Sequence, residues 1–409
     1  MKKAAAQIFL WSALAILFAY SLRGPRSGAE AGLSVLMEPD GTGVWRDLVD
    51  QFNREYPGPP VRLIEGPPAT NTREDLYSTS FLSADASYDI VYSDSIWVAK
   101  FAAAGWLRDL TGNLSDADRS DFLPAELQAG SYRGKLYRMP AFTDAGLLFY
   151  RKDLVREPPE TFEELLDLAA SLKTADRWGF LWQGKQYEGL VTVFLEVLWG
   201  YGGDWIDAGT RRVGLDSPEA VQAVNFLKGT VGTISPPAVT AYAEEDTRTI
   251  FQNGRAVFLR NWPYVWTLSQ QPGGALRDQI GMTPMVHAPG QKSAATLGGW
   301  GFGISSYSRN PERAWQFVEF ITRREQLRQV QERQGRIPAR TSMIPPEMRP
   351  VLESARPRPS IPEYAQASDI LQRWLSAALT GRASSEQAMK EAAMETSLLL
   401  AERGIADGQ

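Results

Sequence analysis

An α/β architecture in two lobes is what this sequence predicts, on three observations. Its 409 residues are enough for between two and three domains of about 150 residues each. Hydrophobic residues make up 44% and charged residues 22%, close to the soluble average, which excludes intrinsic disorder, collagen and a polytopic membrane protein. Strand-like apolar runs also alternate with helix-like periodicity, and that alternation restarts part-way along the chain.

Leu33 to Met37 is a short apolar run, read as the first strand. Val44, Trp45, Leu48, Val49, Phe52 and Tyr56 recur at helical spacing until Pro57 stops them. Val61 to Ile64 reads as the next strand, Leu76, Tyr77 and Phe81 suggest a helix, and Tyr88 to Tyr92 is a buried strand that runs into Ser93, Asp94 and Ser95. A βαβαβ unit of this kind implies a parallel sheet whose ligands sit at the carboxyl ends of its strands. Those ends carry Glu38, Asp40 and Gly41 after the first strand, and Asp94 and Trp97 after the third.

The pattern begins again after about Thr143. Leu147 to Tyr150 is a strand, and Thr161 with Glu164 forms a capping box that opens a helix from Phe162 to Leu172. Gly179 to Trp182 reads as a strand, and Glu188 to Trp199 as an apolar helix ended by Gly200, Gly202 and Gly203. Ser217 and Pro218 open another helix, a further one through Thr249 to Gln252 ends near Gly254, and Ala256 to Leu259 returns as a strand. The Pro284 to Ala295 segment reads as a crossing between lobes. Trp300 to Ile304 is then a strand, and Asn310 with Pro311 opens a helix through Phe320. Seven prolines between Pro338 and Pro362 predict irregular chain along a surface or hinge, before two final helices, Ala367 to Leu379 and Glu386 to Ala401.

Composition narrows the chemistry. With 43 Lys and Arg against 48 Asp and Glu, a net charge of −5 and no long basic run, the chain lacks the electrostatic footprint of a nucleic-acid binder. No cysteine and one histidine, His287, exclude disulfides, thiolate zinc sites and a cysteine nucleophile. His287 itself reads as a surface-loop residue. No metal site is expected, because only an all-carboxylate set remains and none has the spacing. No cofactor is expected either. The glycines at 41 and 43 lack a P-loop lysine, and Gly298, Gly299, Gly301 and Gly303 lead into a strand where a dinucleotide site needs a helix.

At the amino terminus Lys2 and Lys3 precede a mostly apolar stretch from Ala4 to Leu22, the layout of a secretory signal, with an Ala29-Glu30-Ala31 cleavage site. Removing the first 31 residues takes away four cations and one acid and leaves a net charge of −8. The competing reading is an uncleaved anchor, since the stretch approaches the minimum spanning length and Arg23 and Arg26 follow it. Either reading places the chain in the periplasm.

Aromatic residues interleaved with carboxylates and amides at element ends mark the candidate site. Among 13 tryptophans, Trp97 lies beside Asp94, Trp182 before Gln183, Trp205 after a double glycine, Trp262 after Arg260 and Asn261, and Trp300 after Gly298 and Gly299. Such sets suit carbohydrate: a ring covers the C–H face of a pyranose while paired polar groups meet its hydroxyls. Each tryptophan taken singly is as well explained by core packing, Asp94 by helix capping and Glu188 by the helix dipole.

Six stretches in order, YDIVYSDSIWVAKFAAAGWLRDL (88–110), AFTDAGLLFYRKDL (141–154), WQGKQYEGLVTVFLEVLWGYGG (182–203), FQNGRAVFLRNWPY (251–264), TLGGWGFGISSYSRNPERAWQFVEFIT (296–322) and RPSIPEYAQASDILQRWLSAALTG (358–381), together resemble the extracellular solute-binding proteins of ATP-driven importers, in particular their sugar-binding branch. The resemblance implies a periplasmic-binding-protein-like fold of two discontinuous α/β lobes, residues 33–142 with 296–341 and residues 143–295 with 342–409, around a ligand cleft. It implies a non-enzymatic, monomeric receptor for a disaccharide or related glycoside that delivers its cargo to the membrane permease subunits of an ABC transporter. Carried over position by position, it implies ligand contacts from Glu38, Thr42, Asp94, Trp97, Asp144, Tyr187, Glu188, Trp262, Gly299, Trp300 and a late arginine, Arg336 or Arg340. The absence of a lipobox cysteine departs from many bacterial relatives. Two other functions are compatible with the residues: a glycoside hydrolase drawing two carboxylates from Asp94, Glu38 and Glu188, and a receptor for another small solute on the same fold.

Overall fold

The computed structural model describes residues 32–406, so the proposed signal or anchor lies outside the described residues. Among those described, no helix is long and apolar enough to cross a membrane. The chain begins with β1 (Leu33–Met37), α1 (Val44–Glu55), β2 (Val61–Glu65), α2 (Thr70–Leu82) and β3 (Ile90–Asp94), and β1 lies parallel to both β2 and β3. Every residue of β1 is buried, as a central strand covered on both faces requires. α1 turns Val44, Trp45, Leu48, Val49 and Phe52 inward, and its apolar stripe is the one the 3.6-residue period marks out.

Helices α3 (Val98–Ala103), α4 (Asp116–Asp121) and α5 (Pro124–Ala129) and a small hairpin, β4 (Ser131–Tyr132) with β5 (Lys135–Leu136), lead to β6 (Met139–Ala145). Gly146 alone separates β6 from β7 (Leu147–Arg151), yet the two strands belong to different sheets. The second sheet adds β8 (Trp178–Leu181), β9 (Ala256–Asn261) and β10 (Ile280–Thr283) in the order β10-β7-β9-β8. The chain returns to the first sheet with β11 (Ala295–Ile304), β12 (Ile337–Pro338) and β13 (Ala355–Arg356), giving β12-β6-β11-β3-β1-β2 with β13 beside the start of β11. The βαβαβ half of this sheet is parallel, as the sequence predicts. β11 runs antiparallel to both β3 and β6, so the sheet as a whole is mixed.

The later helices are α6 (Phe162–Leu172), α7 (Glu188–Gly200), α8 (Pro218–Thr230), α9 (Glu244–Gln252), α10 (Tyr264–Ser269), α11 (Pro311–Ile321), α12 (Arg324–Gln334), α13 (Arg349–Ser354), α14 (Tyr364–Leu379) and α15 (Ser385–Ala406). The Thr161–Glu164 capping box is formed in full. α7 is buried all round and forms the core of the second lobe, with α14 packed on it and on α8. Short α13, strands β12 and β13 and two 3-10 turns, Thr341–Met343 and Pro346–Met348, break up the proline-rich stretch. β6 and α12 have no counterpart in the sequence reading. Pro140 and Asp144 disguise β6, although all seven of its residues are buried, and α12 exposes most of a charged surface around buried Leu327 and Val330.

Candidate functional site

The carboxyl ends of β1, β3 and β6 and the middle of β11 face the amino ends of α7 and α9 and the end of β9 across a cavity of about 710 Å³. That volume falls within the range of small-molecule sites. Glu38, Thr42, Arg73, Asp94, Asp144 and the Gly298-Gly299-Trp300 floor lie on the side of the first sheet, and Tyr187, Glu188, Glu244, Trp262 and Tyr264 on the side of the second. Arg336 and Arg358 reach in from loops.

The acids are held by guanidinium groups. Arg336 donates to Glu38 at 3.1 Å and to Asp144 at 3.3 Å, and Arg73 donates to Glu38 at 3.3 Å while binding the carbonyls of Pro67 and Pro68. Arg358 donates to Asp94 at 2.9 Å and to Glu188 at 2.8 Å, joining the end of β3 to the start of α7. Glu188 also accepts from Tyr364 and Ser368 on α14, both at 2.6 Å. Burial works against the charge of Arg336, but Glu38 and Asp144 beside it keep its pKa above the usual guanidinium value. Burial likewise raises Glu188 against the opposing pull of Arg358.

Asp144 sits at the point where the chain leaves one sheet for the other. Burial pushes its carboxyl up to about 7 against the pull of Arg336, and Glu126, Glu38 and Asp94 add to the rise. Its Oδ1 is buried and has no hydrogen-bond partner within the protein, so one acceptor stands unused beside the cavity.

The two cavity indoles differ. Trp262 is half-buried, the Arg260 guanidinium lies over it at 4.3 Å, and its Nε1 donates to Glu244 at 3.4 Å. Tyr187 donates to the other oxygen of Glu244 at 2.5 Å. Trp300 is 8% exposed, stacks on Tyr92 with centroids 4.7 Å apart, and has Arg73 at 4.7 Å from its ring. It lines the cavity but offers little of its face.

Ten of the residues singled out from sequence line the cavity: Glu38, Thr42, Asp94, Asp144, Tyr187, Glu188, Trp262, Gly299, Trp300 and Arg336. Trp97 and Arg340 do not. Trp97 is 1% exposed and packs edge-on against Trp300 at 5.2 Å, as part of the aromatic core with Tyr77 and Phe101. Arg340 donates to Asp121 at 2.9 Å and to the Thr322 carbonyl and covers Phe122, tying α4 to the end of α11. Trp182 and Trp205 are likewise core residues. Sequence reasoning missed Arg73, Arg358, Glu244 and Tyr264 as cavity residues. Arg358 lies in a proline-rich run with no periodicity, Arg73 is a single cation in the polar opening of α2, and Glu244 is one of three acids in the first turn of α9, where the helix dipole favours them anyway. Among the described residues no group of three acid or imidazole side chains could hold a metal ion.

The sequence model of the bacterial extracellular solute-binding proteins matches residues 38–327. The chain belongs to that family. This solute-binding protein is 35% identical over 276 residues to a probable ABC transporter-binding protein of Deinococcus radiodurans, a match spanning 65% of each chain and thus just under two thirds of that relative. It is 23% identical over 313 residues to a maltotriose-binding protein of Pyrococcus abyssi, covering 75% of this chain and 66% of the relative. Among solved structures, maltose-bound MalE3 of T. maritima superposes with a TM-score of 0.86 at 37% identity, covering 90% of this chain and all of that one. The two-lobed α/β fold is therefore that of the sugar-binding members.

Proposed function

We propose that this solute-binding protein captures a disaccharide or related glycoside between its lobes and delivers it to the permease subunits of an ABC importer. The observation that carries this reading is the cavity's combination of one half-exposed indole, Trp262, with carboxylates fixed by arginine and an unused acceptor on Asp144. Such a surface matches an apolar pyranose face ringed by equatorial hydroxyls. The maltose bound by the T. maritima protein and the maltotriose named for the P. abyssi relative support the same class. In this reading Trp262 stacks on a sugar ring, Asp144, Glu38, Asp94 and Glu188 meet hydroxyls, and the Gly298-Gly299 backbone forms the floor, with no side chain at Gly298 to displace Asp144 or Trp262.

We place the lobe boundaries at residues 33–142 with 296–341 and 143–295 with 342–409. The two-sheet division supports this in outline, since β1 to β3 and nearly all of β11 lie in the first sheet and β7 to β10 in the second, with the first boundary falling inside β6 and β13 remaining paired with β11. The receptor acts outside the cytoplasmic membrane as a monomer and catalyses nothing. Asp94, Glu38 and Glu188, the carboxylates a glycoside hydrolase would draw on, are all engaged by arginines, Asp94 and Glu188 by Arg358 and Glu38 by Arg73 and Arg336.

A disaccharide has about 23 heavy atoms, and at roughly −0.3 kcal/mol each the binding free energy is about −7 kcal/mol, a Kd of order 10 μM or tighter. Calorimetry on the purified protein with maltose, trehalose, sucrose and glucosylglycerol tests the reading. Micromolar binding of at least one is expected. If no small glycoside binds while an unrelated solute does, the assignment to sugars is wrong.

A further inference from the structure

Behind the cavity, and lining no part of it, Arg260 on β9 and Glu196 on α7 form a fully buried pair. Arg260 Nε donates to Glu196 Oε2 at 2.7 Å and Nη2 to Oε1 at 2.5 Å, the bidentate geometry that fixes both groups. The pair touches both places where the chain passes between the sheets. At the first, Gly146 separates β6 from β7, and a Cβ there would stand 1.9 Å from Glu196 Oε1 and 2.7 Å from Arg260 Nη2. At the second, the Thr296 N–H near the start of β11 donates to Glu196 Oε1 at 3.1 Å, and the Thr296 hydroxyl donates to the Thr192 carbonyl of α7 at 3.0 Å.

The same arginine reaches the ligand side. Its guanidinium lies 4.3 Å from the Trp262 ring, and its Nη1 donates to Gln183 at 3.1 Å. Gln183 in turn donates to Thr247 on α9 at 2.8 Å, and α9 opens with the Glu244 that holds Trp262 and Tyr187. One rigid polar cluster therefore contacts the cavity's accessible ring and both crossings.

We propose that the Glu196–Arg260 pair is a positioning element that couples the Trp262 platform to two of the interlobe crossings, those at Gly146 and Thr296, so that the angle between the lobes and the grip on sugar both depend on it although it touches no ligand. Gly146 is glycine because the pair occupies the space a side chain would need. Lobe motion bends the chain at Gly146 and near Thr296, and the pair transmits that bend to the ring, since charge-assisted bonds in a dry interior keep their geometry.

The test uses the absence of cysteine in the sequence. Leu82→Cys on α2 and Leu398→Cys on α15, both exposed positions on different lobes, accept a pair of fluorescent labels without competition. In this background the double variant Glu196→Leu/Arg260→Met removes both charges at similar volume, which leaves stability near the parent's because no lone charge stays buried. The expected result is a melting temperature within a few degrees of the parent, a shifted or broadened interlabel distance distribution without ligand, and maltose affinity at least about 5-fold weaker. Gly146→Ala, which displaces the pair from outside, should show the same two changes and carries the test should the double variant melt far below the parent. Unchanged distances and affinity in the folded variants overturn the proposal. The maltose arm rests on the receptor reading above, whereas the ligand-free distances do not, so a parent that ignores all glycosides sinks that reading and leaves this one decided by distance alone.

Discussion

Trp262 keeps part of its ring accessible in the cavity while Arg260 covers some of it, so Trp262→Ala should remove ligand contact and little packing. The expected loss is about 1–3 kcal/mol in sugar binding, read by calorimetry, with a small change in melting temperature. Trp97→Ala should do the reverse. That indole is sealed among Tyr77, Phe101 and Trp300, and truncation should cost about 3–5 kcal/mol of stability before it affects the ligand. Asp144 gives a pH-dependent prediction. Its folded pKa of about 7 lies above the unfolded value near 3.9, so between those limits the native state holds a proton that the unfolded chain has released. The resulting stability is fully present below about pH 4 and is lost as pH rises through 7. Asp144→Asn stays neutral throughout. The parent's melting temperature should therefore fall relative to the variant's between pH 5 and pH 8, and a difference that does not change with pH refutes the account of Asp144 as a strained, buried acid.

At the scale of elements, β11 shows how backbone and site are joined. Gly299 adopts a φ of 146°, and a Cβ there would lie 2.5 Å from Glu126 Oε1, so alanine meets both an unfavourable conformation and a buried carboxylate. Gly299→Ala should cost at least about 1–3 kcal/mol of stability in denaturant titration and weaken sugar binding, because the floor beside Trp300 must shift. A fully stable variant with parental affinity contradicts this. The register of β11 against β6 slips between Trp300 and Gly301, opposite Pro140, whose nitrogen has no hydrogen to donate. There Arg138 donates to the Gly299 carbonyl at 2.9 Å. None of this is legible in the sequence, because a bulge depends on a partner strand far along the chain. Elements whose cause is local were legible: the Thr161 capping box, the apolar stripe of α1 and the buried run of β1 all rest on residues within a few positions of one another. β6 hid because Pro140 and Asp144, the latter a cavity-lining acid, break its apolar pattern.

At the scale of the molecule the cavity is assembled from both lobes, and sequence reading found the residues that follow strand ends and Arg336, but not Arg73 or Arg358, which tie the acids together as well. Arg358 lies 264 positions from Asp94 and 170 from Glu188, so no spacing rule could join them. It nevertheless bridges the end of β3 and the start of α7, and next to it Asn71 on α2 accepts from the Glu188 N–H at 3.3 Å. These contacts exist only while the lobes face each other closely. Arg358→Met removes the bridge and leaves Asp94 and Glu188 with less compensation in a buried setting, which costs about 3–5 kcal/mol for a pair broken on one side. Glu188 retains Tyr364 and Ser368, so the second lobe should keep its own packing and the strain should appear as separation of the lobes. Small-angle scattering on the ligand-free variant should then give a larger radius of gyration than the parent, while circular dichroism keeps the parental helix content. Saturating sugar should draw the variant only part of the way back, because ligand hydroxyls replace some of the lost donors but not the direct link between lobes. Equal radii for parent and variant without ligand show that the closed arrangement does not depend on Arg358.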